Sequence, residues 1–275
     1  MHAGGIVTLT TDFGLRDSYV AQMKGTILSI AIRVSIVDVT HAISRHSILQ
    51  AAFLIADVWR TYPDGTAHVV VVDPGVGTER RPIALEAHGQ YFVGPDNGVF
   101  SRIMQEAEQA GAGWTGVVLS NTDYWRTPAV SATFHGRDIF APVAAHLVNG
   151  TFLTHLGDAL TEPVRLHLPA FTTEGEGNGN AVTGEIIYVD SFGNCVTNIP
   201  ASALPPPNSA PVSVTSGTLT LPYVQTYGIV TDGQPLALIG SHGYLELAAR
   251  RGNAEAMYGF TVGTPVTVQL APVRG

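Results

Sequence analysis

The chain has 275 residues with a formal net charge of −8, and 13% of its residues are charged where about 25% is usual. Its aliphatic runs reach only about four residues, as at 69–72, whereas a membrane-spanning helix needs roughly 20. An acidic chain without a basic run is a poor binder of nucleic acid, so we expect a soluble protein that binds neither membrane nor nucleic acid. The small fraction of charged residues favours an oligomer in which apolar surface is buried between subunits. A chain rich in small neutral residues would have the same low charged fraction.

Strand-like and helix-like segments alternate from residue 5 to about residue 170. β-Branched or continuous apolar segments predict strands at residues 6–10, 34–39 and 68–72. Apolar residues at helical spacing predict helices at 19–31, 47–61, 95–110 and 138–149, and a hairpin is expected over 83–94. Because strands that alternate with helices pair in parallel through right-handed crossovers, the pattern predicts an α/β domain with a mainly parallel sheet.

The composition changes after about residue 170. Residues 172–184 are rich in glycine, glutamate and asparagine without periodicity, which is typical of a linker or an exposed loop. Short strand-like segments separated by turn residues follow at 184–189, 212–214, 218–221, 235–239, 244–248 and 265–270. The sequence therefore predicts an amino-terminal α/β domain over 1–170, a linker over 171–183 and a smaller carboxyl-terminal β-barrel-like domain over 184–275.

Several common catalytic and targeting motifs are missing. The sequence contains no Walker A motif, no Gly-x-Gly-x-x-Gly after a strand, no His-Glu-x-x-His and no Gly-x-Ser-x-Gly. The ten histidines are scattered and Cys195 is the only cysteine, so we expect no protein-bound metal and no internal disulfide. No secretory signal is recognisable at the amino terminus, and the scarcity of cysteine fits a reducing compartment, which predicts a cytoplasmic location.

Candidate functional residues cluster after the predicted strands, where open α/β sheets bind their ligands. Asp12 follows the first strand beside a glycine turn, and its carboxylate suits a ribose diol, although an aspartate in a turn is often structural. Asp73 and Arg80 flank a loop with two glycines after the most apolar strand. Their spacing allows a bidentate ion pair, which serves either a reaction or only the bracing of the loop.

A histidine is the third candidate, because its pKa suits proton transfer near neutrality. His135 and Gly136 precede the helix predicted over 138–149, although a lone histidine is more often structural. Together with Asp73 and Arg80, His135 would add an imidazole to an ion pair, a set able to orient a water molecule.

The fourth candidate lies in the predicted β domain. An aromatic stands there between a carboxylate and an amide, in Asp190-Ser191-Phe192-Gly193-Asn194, and Ser241 and Glu246 occupy a second polar segment. Such a segment either stacks on a planar base and binds its polar edges, or is a β-turn with a core phenylalanine.

These segments, in this order and at these spacings, resemble the S-adenosylmethionine hydrolases, also called S-adenosylmethionine hydroxide adenosyltransferases, the non-halogenating relatives of fluorinase and chlorinase. The resemblance covers essentially the whole chain. It rests on residues 10–14, 17–25, 37–41, 73–81, 94–98, 134–138, 192–198 and 252–254. The combination of Asp-Pro-Gly-Val-Gly-Thr at 73–78 with Phe-His-Gly-Arg-Asp at 134–138 is highly specific.

The resemblance implies that water displaces methionine from the 5′-carbon of S-adenosylmethionine (SAM), which yields adenosine and L-methionine. The family's Asp-Arg-His set falls on Asp73, Arg80 and His135. Halogenating relatives are not expected to keep that set, so hydrolysis is favoured over halogenation. SAM is then the substrate, water the nucleophile, and no cofactor is implied. The resemblance also implies a homotrimer whose active sites lie between the amino-terminal domain of one subunit and the carboxyl-terminal domain of the next.

The resemblance further implies the substrate-binding residues Asp12, Asp73, Gly136, Asp190, Phe192, Asn194, Ser241, Glu246, Asn253 and Ala254. Asp12 would hold the ribose hydroxyls. The adenine would lie against Phe192 and Asn194, with the backbone around 253–254 at its edge. The methionine portion or other polar edges would meet Asp190, Ser241 and Glu246. One departure is His46, which stands where relatives often have an aromatic residue.

The chemistry of the leaving group shapes the expected mechanism. A sulfonium departs as a neutral thioether, so no general acid is needed. We expect Asp73 and His135 to position and partly deprotonate one water molecule while Arg80 keeps Asp73 ionised; either of the two could take the proton. The alternatives are a chlorinase-like halogenase that uses SAM, and a non-catalytic protein that binds adenosine or SAM.

Overall fold

A computed structural model describes residues 5–174, 181–207 and 212–270 of the chain. The chain divides into an amino-terminal unit, residues 1–168, and a carboxyl-terminal unit, residues 169–275. Each unit has its own sheet and its own hydrophobic core. In these described ranges, no helix is both long enough and apolar enough to cross a lipid bilayer.

The amino-terminal unit is built on a six-stranded sheet. Its strands are β1 (Ile6–Thr11), β2 (Ser35–Thr40), β3 (Ala67–Val71), β4 (Pro82–Ala87), β5 (Gln90–Pro95) and β6 (Trp114–Val118). They lie in the order β2-β1-β3-β5-β4-β6. β1 is parallel to β2 and β3, and β3 is parallel to β5, whereas β4 is antiparallel to β5 and β6. The prediction of an α/β fold with a mainly parallel sheet is confirmed.

Helices cover both faces of this sheet. They are α1 (Tyr19–Ile30), α2 (Ile48–Val58), α3 (Ser101–Gln109) and α4 (Ala141–Val148). The side chains of α1 and α4 share one hydrophobic core, and those of α2 and α3 share another. The four valines at 69–72 alternate between the two cores. This explains the continuous apolar run, because a strand covered on both faces has no polar side.

Two helices differ from the sequence pattern in where they begin. The helix predicted over 95–110 starts only at Ser101, because β5 continues to Pro95 and Gly98 has φ of +94°. A Cβ on Gly98 would lie 2.6 Å from the Leu166 side chain, so a glycine turn is required there. The helix predicted over 138–149 consists of a π-helical turn, Gly136–Phe140, followed by α4. β6 was not predicted, since its five residues include a glycine and form an edge strand.

The carboxyl-terminal unit is a nearly closed antiparallel barrel. Its strands are β7 (Thr172–Glu174), β8 (Ala181–Val189), β9 (Cys195–Pro200), β10 (Val212–Ser216), β11 (Leu219–Pro222), β12 (Pro235–Ile239), β13 (Tyr244–Ala249) and β14 (Pro265–Leu270), with one short helix, α5 (Ala254–Tyr258). The order is β11-β10-β14-β8-β9-β13-β12, and β7 pairs with β8. Tyr223, just after β11, bridges to Ala237 in β12 and brings the two ends of the sheet together. The predicted β-barrel-like architecture is confirmed.

The segment predicted as a linker differs from that expectation at both of its ends. Thr172–Glu174 form β7 and pair with residues 181–183 of β8, because β-branched threonines favour an extended backbone. The central residues 175–180 lie outside the described residues. β9 and α5 were not predicted, since short polar-flanked segments give a weak pattern.

Candidate active site

A cavity of about 320 Å³ opens at the carboxyl ends of β1 and β3 in the amino-terminal unit. Its lining residues are Asp12, Phe13, Asp17, Tyr19, Arg45, His46, Val71, Asp73, Val76, Thr133, Phe134, His135 and Gly136. β1 and β3 are neighbours, so the residues that follow them reach the same edge of the sheet. Four of the predicted site residues, namely Asp12, Asp73, His135 and Gly136, therefore lie around one cavity.

Asp73 and Arg80 form a buried bidentate ion pair beside this cavity. Arg80 Nε donates to Asp73 Oδ1 over 3.1 Å, and Arg80 Nη2 donates to Asp73 Oδ2. The Arg80 side chain is 6% exposed and the Asp73 side chain is 4% exposed. The loop between them returns on itself through Gly77, whose φ is +77°, and a Cβ there would lie 2.3 Å from the carbonyl oxygen of Ala132. The two glycines of this loop allow the arginine to fold back on the aspartate.

His135 completes a three-residue network centred on Arg80. Arg80 Nη2 lies 3.0 Å from His135 Nδ1. A guanidinium can only donate hydrogen bonds, so Nδ1 accepts and the proton of the neutral ring lies on Nε2. Burial and the positive charge of Arg80 both lower the pKa of His135, with Asp73 acting in the opposite direction. His135 is therefore a neutral imidazole with a fixed tautomer, available to donate from Nε2.

The π-helical turn that follows His135 is anchored by Asp138, which is 1% exposed. Its carboxylate accepts hydrogen bonds from Arg137 Nε at 2.6 Å and from the backbone N–H of Ser131 at 2.9 Å. Burial opposes ionisation of Asp138, but these hydrogen bonds outweigh it and the pKa of the group is lowered. Gly136 packs closely against Met23 and Phe134, since a Cβ there would lie 3.3 Å from both side chains. These contacts fix the backbone that carries His135.

Asp12 also lines this cavity and is held by the backbone of the loop before α2. Its Oδ2 accepts a hydrogen bond from the His46 N–H at 2.9 Å. His46 has φ of +65°, a conformation that is uncommon for a residue with a side chain. His46, which stands where relatives often have an aromatic residue, thus lines the cavity next to Asp12, the carboxylate expected to hold the ribose.

Three aromatic rings and a second carboxylate in this wall were missed by the sequence analysis as site residues. The Phe13 ring lies 5.7 Å from Tyr19 and 5.9 Å from Phe134, and Tyr19 and Phe134 are 5.1 Å apart. Asp17, which was not predicted as a site residue, also lines the cavity. Two of the aromatic residues could have been predicted from the sequence, because Phe13 directly follows Asp12 and Phe134 directly precedes His135.

A second cavity, of about 490 Å³, lies in the carboxyl-terminal unit. Its lining residues are Phe192, Asn194, Tyr227, Ala249, Arg251, Gly252 and Asn253. Phe192 is 76% exposed although it is a large apolar residue. Three of the predicted adenine contacts, Phe192, Asn194 and Asn253, therefore share one cavity, and Tyr227 joins them without any motif to signal it.

Asp190 shapes the turn that carries two of these residues. Asp190 Oδ1 accepts from the backbone N–H groups of Phe192 and Asn194 at 2.8 and 2.9 Å, and Oδ2 accepts from Asn194 Nδ2 at 3.0 Å. Gly193 has φ of +82° and lies against Asn253, so close that a Cβ would be 2.1 Å from Asn253 Cγ. The carboxylate thus serves an Asx-turn that presents Phe192 and Asn194.

The remaining predicted residues lie elsewhere in this unit. Glu246 is 4% exposed, and its carboxylate meets Tyr227 and His242. Ala254 is fully buried at the start of α5, in the hydrophobic core. Ser241 is exposed in the turn between β12 and β13. Within the described part of the chain, none of these three lines either cavity, and no group of three or more His, Cys, Asp or Glu side chains is arranged to hold a metal ion.

Comparison with known proteins decides the family. The sequence matches the SAM hydroxide adenosyltransferase N-terminal domain over residues 7–157 and the C-terminal domain of the same family over residues 184–267. The chain belongs to the SAM hydroxide adenosyltransferase family. This confirms the resemblance drawn from the sequence motifs.

Individual relatives of this family are similar over nearly their whole length. The chain is 37% identical over 262 residues to an (R)-S-adenosyl-L-methionine hydrolase of Salinispora tropica, spanning 95% of this chain and 97% of that protein. It is 31% identical over 300 residues to a fluorinase of an Actinoplanes species, spanning 97% and 98%. The crystal structure of an uncharacterized conserved protein from Thermotoga maritima superposes with a TM-score of 0.86 at 33% identity, covering 96% of this chain and 99% of that one.

Proposed function

We propose that the protein is an enzyme that hydrolyses S-adenosyl-L-methionine to adenosine and L-methionine by attack of water on C5′. The observation that carries the proposal is the buried Arg80 guanidinium, which holds Asp73 and His135 together at the wall of a cavity. The relatives named as (R)-S-adenosyl-L-methionine hydrolases, at 35–37% identity, support the substrate and the reaction.

The reaction balances with water as the only co-substrate. The water oxygen forms a bond to C5′ while the C5′–S bond breaks, and its electron pair goes to sulfur, which becomes the neutral thioether of methionine. One water proton must be taken up as the new C–O bond forms. Because the leaving group is neutral, no acid, metal or organic cofactor is required by the chemistry, and the protein's task is to orient and deprotonate the water.

The hydrogen bonds around Arg80 favour Asp73 as the group that takes the proton. His135 Nδ1 already accepts from Arg80, and its Nε2 carries a proton. In this proposal His135 Nε2–H donates to one lone pair of the water oxygen and directs the other toward C5′. Asp73 accepts a water proton on a carboxylate lone pair that the bidentate contact leaves open. Arg80 keeps both groups in place.

The binding roles are proposed from the two cavities. Asp12 holds the ribose hydroxyls, near Gly136 and the reacting water. Phe192, Asn194 and the backbone at 253–254 hold the adenine. Asp190 contributes by shaping its turn, and Ser241 remains a proposed contact of the methionine portion.

We extend the proposal to a cytoplasmic homotrimer in which the amino-terminal cavity of one subunit meets the carboxyl-terminal cavity of the next. Each cavity exposes an aromatic side chain that an adjoining surface would cover: Tyr19 is 45% exposed and Phe192 is 76% exposed. Light scattering after size-exclusion chromatography would test the assembly, and a monomeric mass would contradict it.

Halide transfer is the second candidate, because the fluorinase relative is 31% identical over nearly the whole chain. In a halogenase, a halide ion replaces water at C5′ and gives a 5′-halo-5′-deoxyadenosine. A protein that only binds adenosine or SAM would give neither product.

One labelling experiment separates these functions. The purified protein is incubated with the R and the S forms of SAM separately, in ¹⁸O-labelled water, with and without chloride or fluoride. Hydrolysis predicts adenosine that carries the label at its 5′-oxygen, and L-methionine in equal amount, whether or not halide is present. A halogenated nucleoside, unlabelled adenosine or no product from either form would contradict the proposal.

A further inference from the structure

Tyr227 lies in a part of the carboxyl-terminal unit that no sequence motif marks. It begins a short 3₁₀ turn, Tyr227–Ile229, in the connection between β11 and β12. Its ring lines the cavity that also holds Phe192 and Asn194, and the residue is 43% exposed. Burial of its hydroxyl, with the neighbouring carboxylate of Glu246, raises the pKa of Tyr227, so the hydroxyl keeps its proton and donates.

The partner of that hydroxyl is the buried carboxylate of Glu246 in β13. Tyr227 Oη donates to Glu246 Oε1 over 2.6 Å. His242 Nε2 lies 3.2 Å from Glu246 Oε2, and His242 Nδ1 accepts from the backbone N–H of Tyr244 at 3.2 Å. The Tyr244 N–H therefore fixes the tautomer in which Nε2 carries the proton and donates to Glu246. Each carboxylate oxygen thus has a donor within the protein.

The backbone makes room for this arrangement. A Cβ on Gly240 would lie 2.4 Å from His242 Nε2 and 2.9 Å from Glu246 Oε2. Any larger residue would push the imidazole and the carboxylate apart. A buried carboxylate that lacks a hydrogen-bond donor destabilises the fold. Glycine at position 240 allows His242 to approach Glu246 and supply that donor.

The segment that carries Tyr227 is also held through its backbone. Arg250, the residue after β13, donates from Nη1 to the carbonyl oxygen of Gly228 at 3.0 Å and to that of Val230. Its Nε lies 2.9 Å from Asp232 Oδ1. β13 and the residue that follows it thus hold the turn at two places, by the tyrosine hydroxyl and by the carbonyl groups after it.

We propose that Glu246 is a positioning residue, which acts with His242 to hold Tyr227 as a fixed wall of the carboxyl-terminal cavity against the adenine ring. This rests on the proposed function, because it takes the nucleoside as the ligand. It differs from the expectation that Glu246 contacts the methionine portion. A ring that is fixed before binding loses less conformational entropy when the base arrives, so the contact contributes to affinity.

A double-mutant cycle on the full-length protein tests the proposal. The variants are Tyr227→Phe, which keeps the ring and removes the hydroxyl, Glu246→Ala, and the combination of both. Calorimetry with adenosine gives Kd, and steady-state kinetics with SAM give KM and kcat. We expect each single variant to raise Kd and KM about tenfold, kcat to change less than KM, and the double variant to be no weaker than Glu246→Ala alone.

Two further variants separate positioning from a general loss of structure. Glu246→Gln keeps an acceptor for the Tyr227 hydroxyl, so we expect it to recover most of the affinity lost in Glu246→Ala. Glu185→Gln makes the same substitution in β8, on a residue that does not line the cavity, and its Kd should match that of the unsubstituted protein. Thermal unfolding of every variant shows whether the unit is folded.

The outcomes distinguish the inference from the proposed function. Additive losses in the double variant, or an unchanged Kd in Tyr227→Phe, would overturn the positioning role even if SAM is hydrolysed. Failure of the unsubstituted protein to bind adenosine would overturn it as well. Binding of adenosine with the expected coupling, but without hydrolysis of SAM, would overturn only the proposed function.

Discussion

The carboxylates at the two cavities differ in what they contact. In the amino-terminal cavity, Asp73 and His135 line the wall and are joined behind it by Arg80. In the carboxyl-terminal cavity, aromatic and amide side chains line the wall together with the exposed Arg251, which pairs with Asp232, and the carboxylates of Asp190 and Glu246 bond to the protein itself.

The difference indicates a division of work. A charge that faces a ligand can stabilise or accept charge during a reaction, whereas a charge that faces its own turn fixes the shape of a surface. Substitutions in the amino-terminal network are therefore expected to lower kcat, and those in the carboxyl-terminal cavity to weaken binding.

The largest expected effect is that of Asp73→Asn, which removes the proposed proton acceptor but keeps its size. General-base help is worth about 10²–10⁴-fold, so kcat should fall by that factor. Adenosine should still bind with a Kd within about threefold of the original, because asparagine keeps the size of the side chain at the cavity wall. Single-turnover kinetics and calorimetry measure the two quantities.

The role of His135 is tested beside it. His135→Gln keeps a side-chain N–H donor, whereas His135→Ala removes it, so the glutamine variant should retain more activity than the alanine variant. Asp123→Asn, on the surface of the same unit, serves as the matched control and should keep the original kcat. Equal losses in the glutamine and alanine variants would count against donation from Nε2.

The second prediction concerns the stability of the amino-terminal unit in acid. His68 in β3 is fully buried, with Thr8 Oγ1 at 2.7 Å from Nδ1 and Gln90 Oε1 at 2.5 Å from Nε2. Burial lowers its pKa from 6.5 to about 4, against the effect of Gln90. The unfolded chain therefore binds a proton that the folded unit refuses, and stability is lost as pH falls from about 6.5 to about 4.

The size of this loss is roughly 3 kcal/mol, since each pH unit between the two pKa values corresponds to about 1.4 kcal/mol. Urea unfolding measured across this pH range gives the free energy directly. His68→Gln has no titrating ring and should flatten the curve. If the free energy of unfolding of His68→Gln fell with pH as steeply as that of the unsubstituted protein, other groups would be responsible for the loss of stability in acid. Unfolding of the carboxyl-terminal unit, followed by a probe within its barrel, should not change with the titration of His68. The pH dependence therefore distinguishes the stability of the two units.

The sequence predicted much of the amino-terminal cavity because parallel strands deliver their following residues to one edge. Asp12 and Asp73 were both placed after predicted strands, and because β1 and β3 are adjacent in the structure, the two side chains line one cavity. The glycine loop returns Arg80 to its partner. His135 comes from a segment far along the chain. The suitability of an imidazole for proton transfer suggested that it joins the pair, and the family resemblance placed it in the same set.

The carboxyl-terminal cavity was harder to predict for a physical reason. Which residues meet in a barrel depends on strand register and on closure, and a register change by one residue reverses the side of every side chain. Glu246 lies in the middle of β13, and its neighbours in the sequence give no sign of its partner. That partner, Tyr227, lies in the connection between β11 and β12. The motif around Asp190 did indicate Phe192 and Asn194, because an Asx-turn is a local structure.

Asp12→Ala gives the third effect, on affinity. Hydrogen bonds to a charged group contribute about 1.5–3 kcal/mol, so loss of the ribose contacts should raise the Kd for adenosine about 10- to 100-fold. In the unsubstituted protein 2′,3′-dideoxyadenosine should bind more weakly than adenosine by a similar factor. In Asp12→Ala the two ligands should bind alike.

A matched variant isolates the ribose contact from the loop contact of the same carboxylate. Asp12→Asn keeps an oxygen that accepts from the His46 N–H, so the loop stays anchored while the negative charge is lost. A persistent preference for adenosine over the dideoxy ligand in Asp12→Ala would remove this residue from the ribose site.

The smallest expected effect is that of Phe192→Ala in the carboxyl-terminal cavity. An aromatic contact adds about 0.5–1.5 kcal/mol beyond the area that it buries, so the Kd for adenosine should rise about threefold to tenfold. Because Phe192 is 76% exposed, its removal should leave the free energy of unfolding unchanged. A fall in kcat larger than the rise in KM would contradict the division between the cavities, since an exposed ring can reach the reaction only through the nucleoside that it holds.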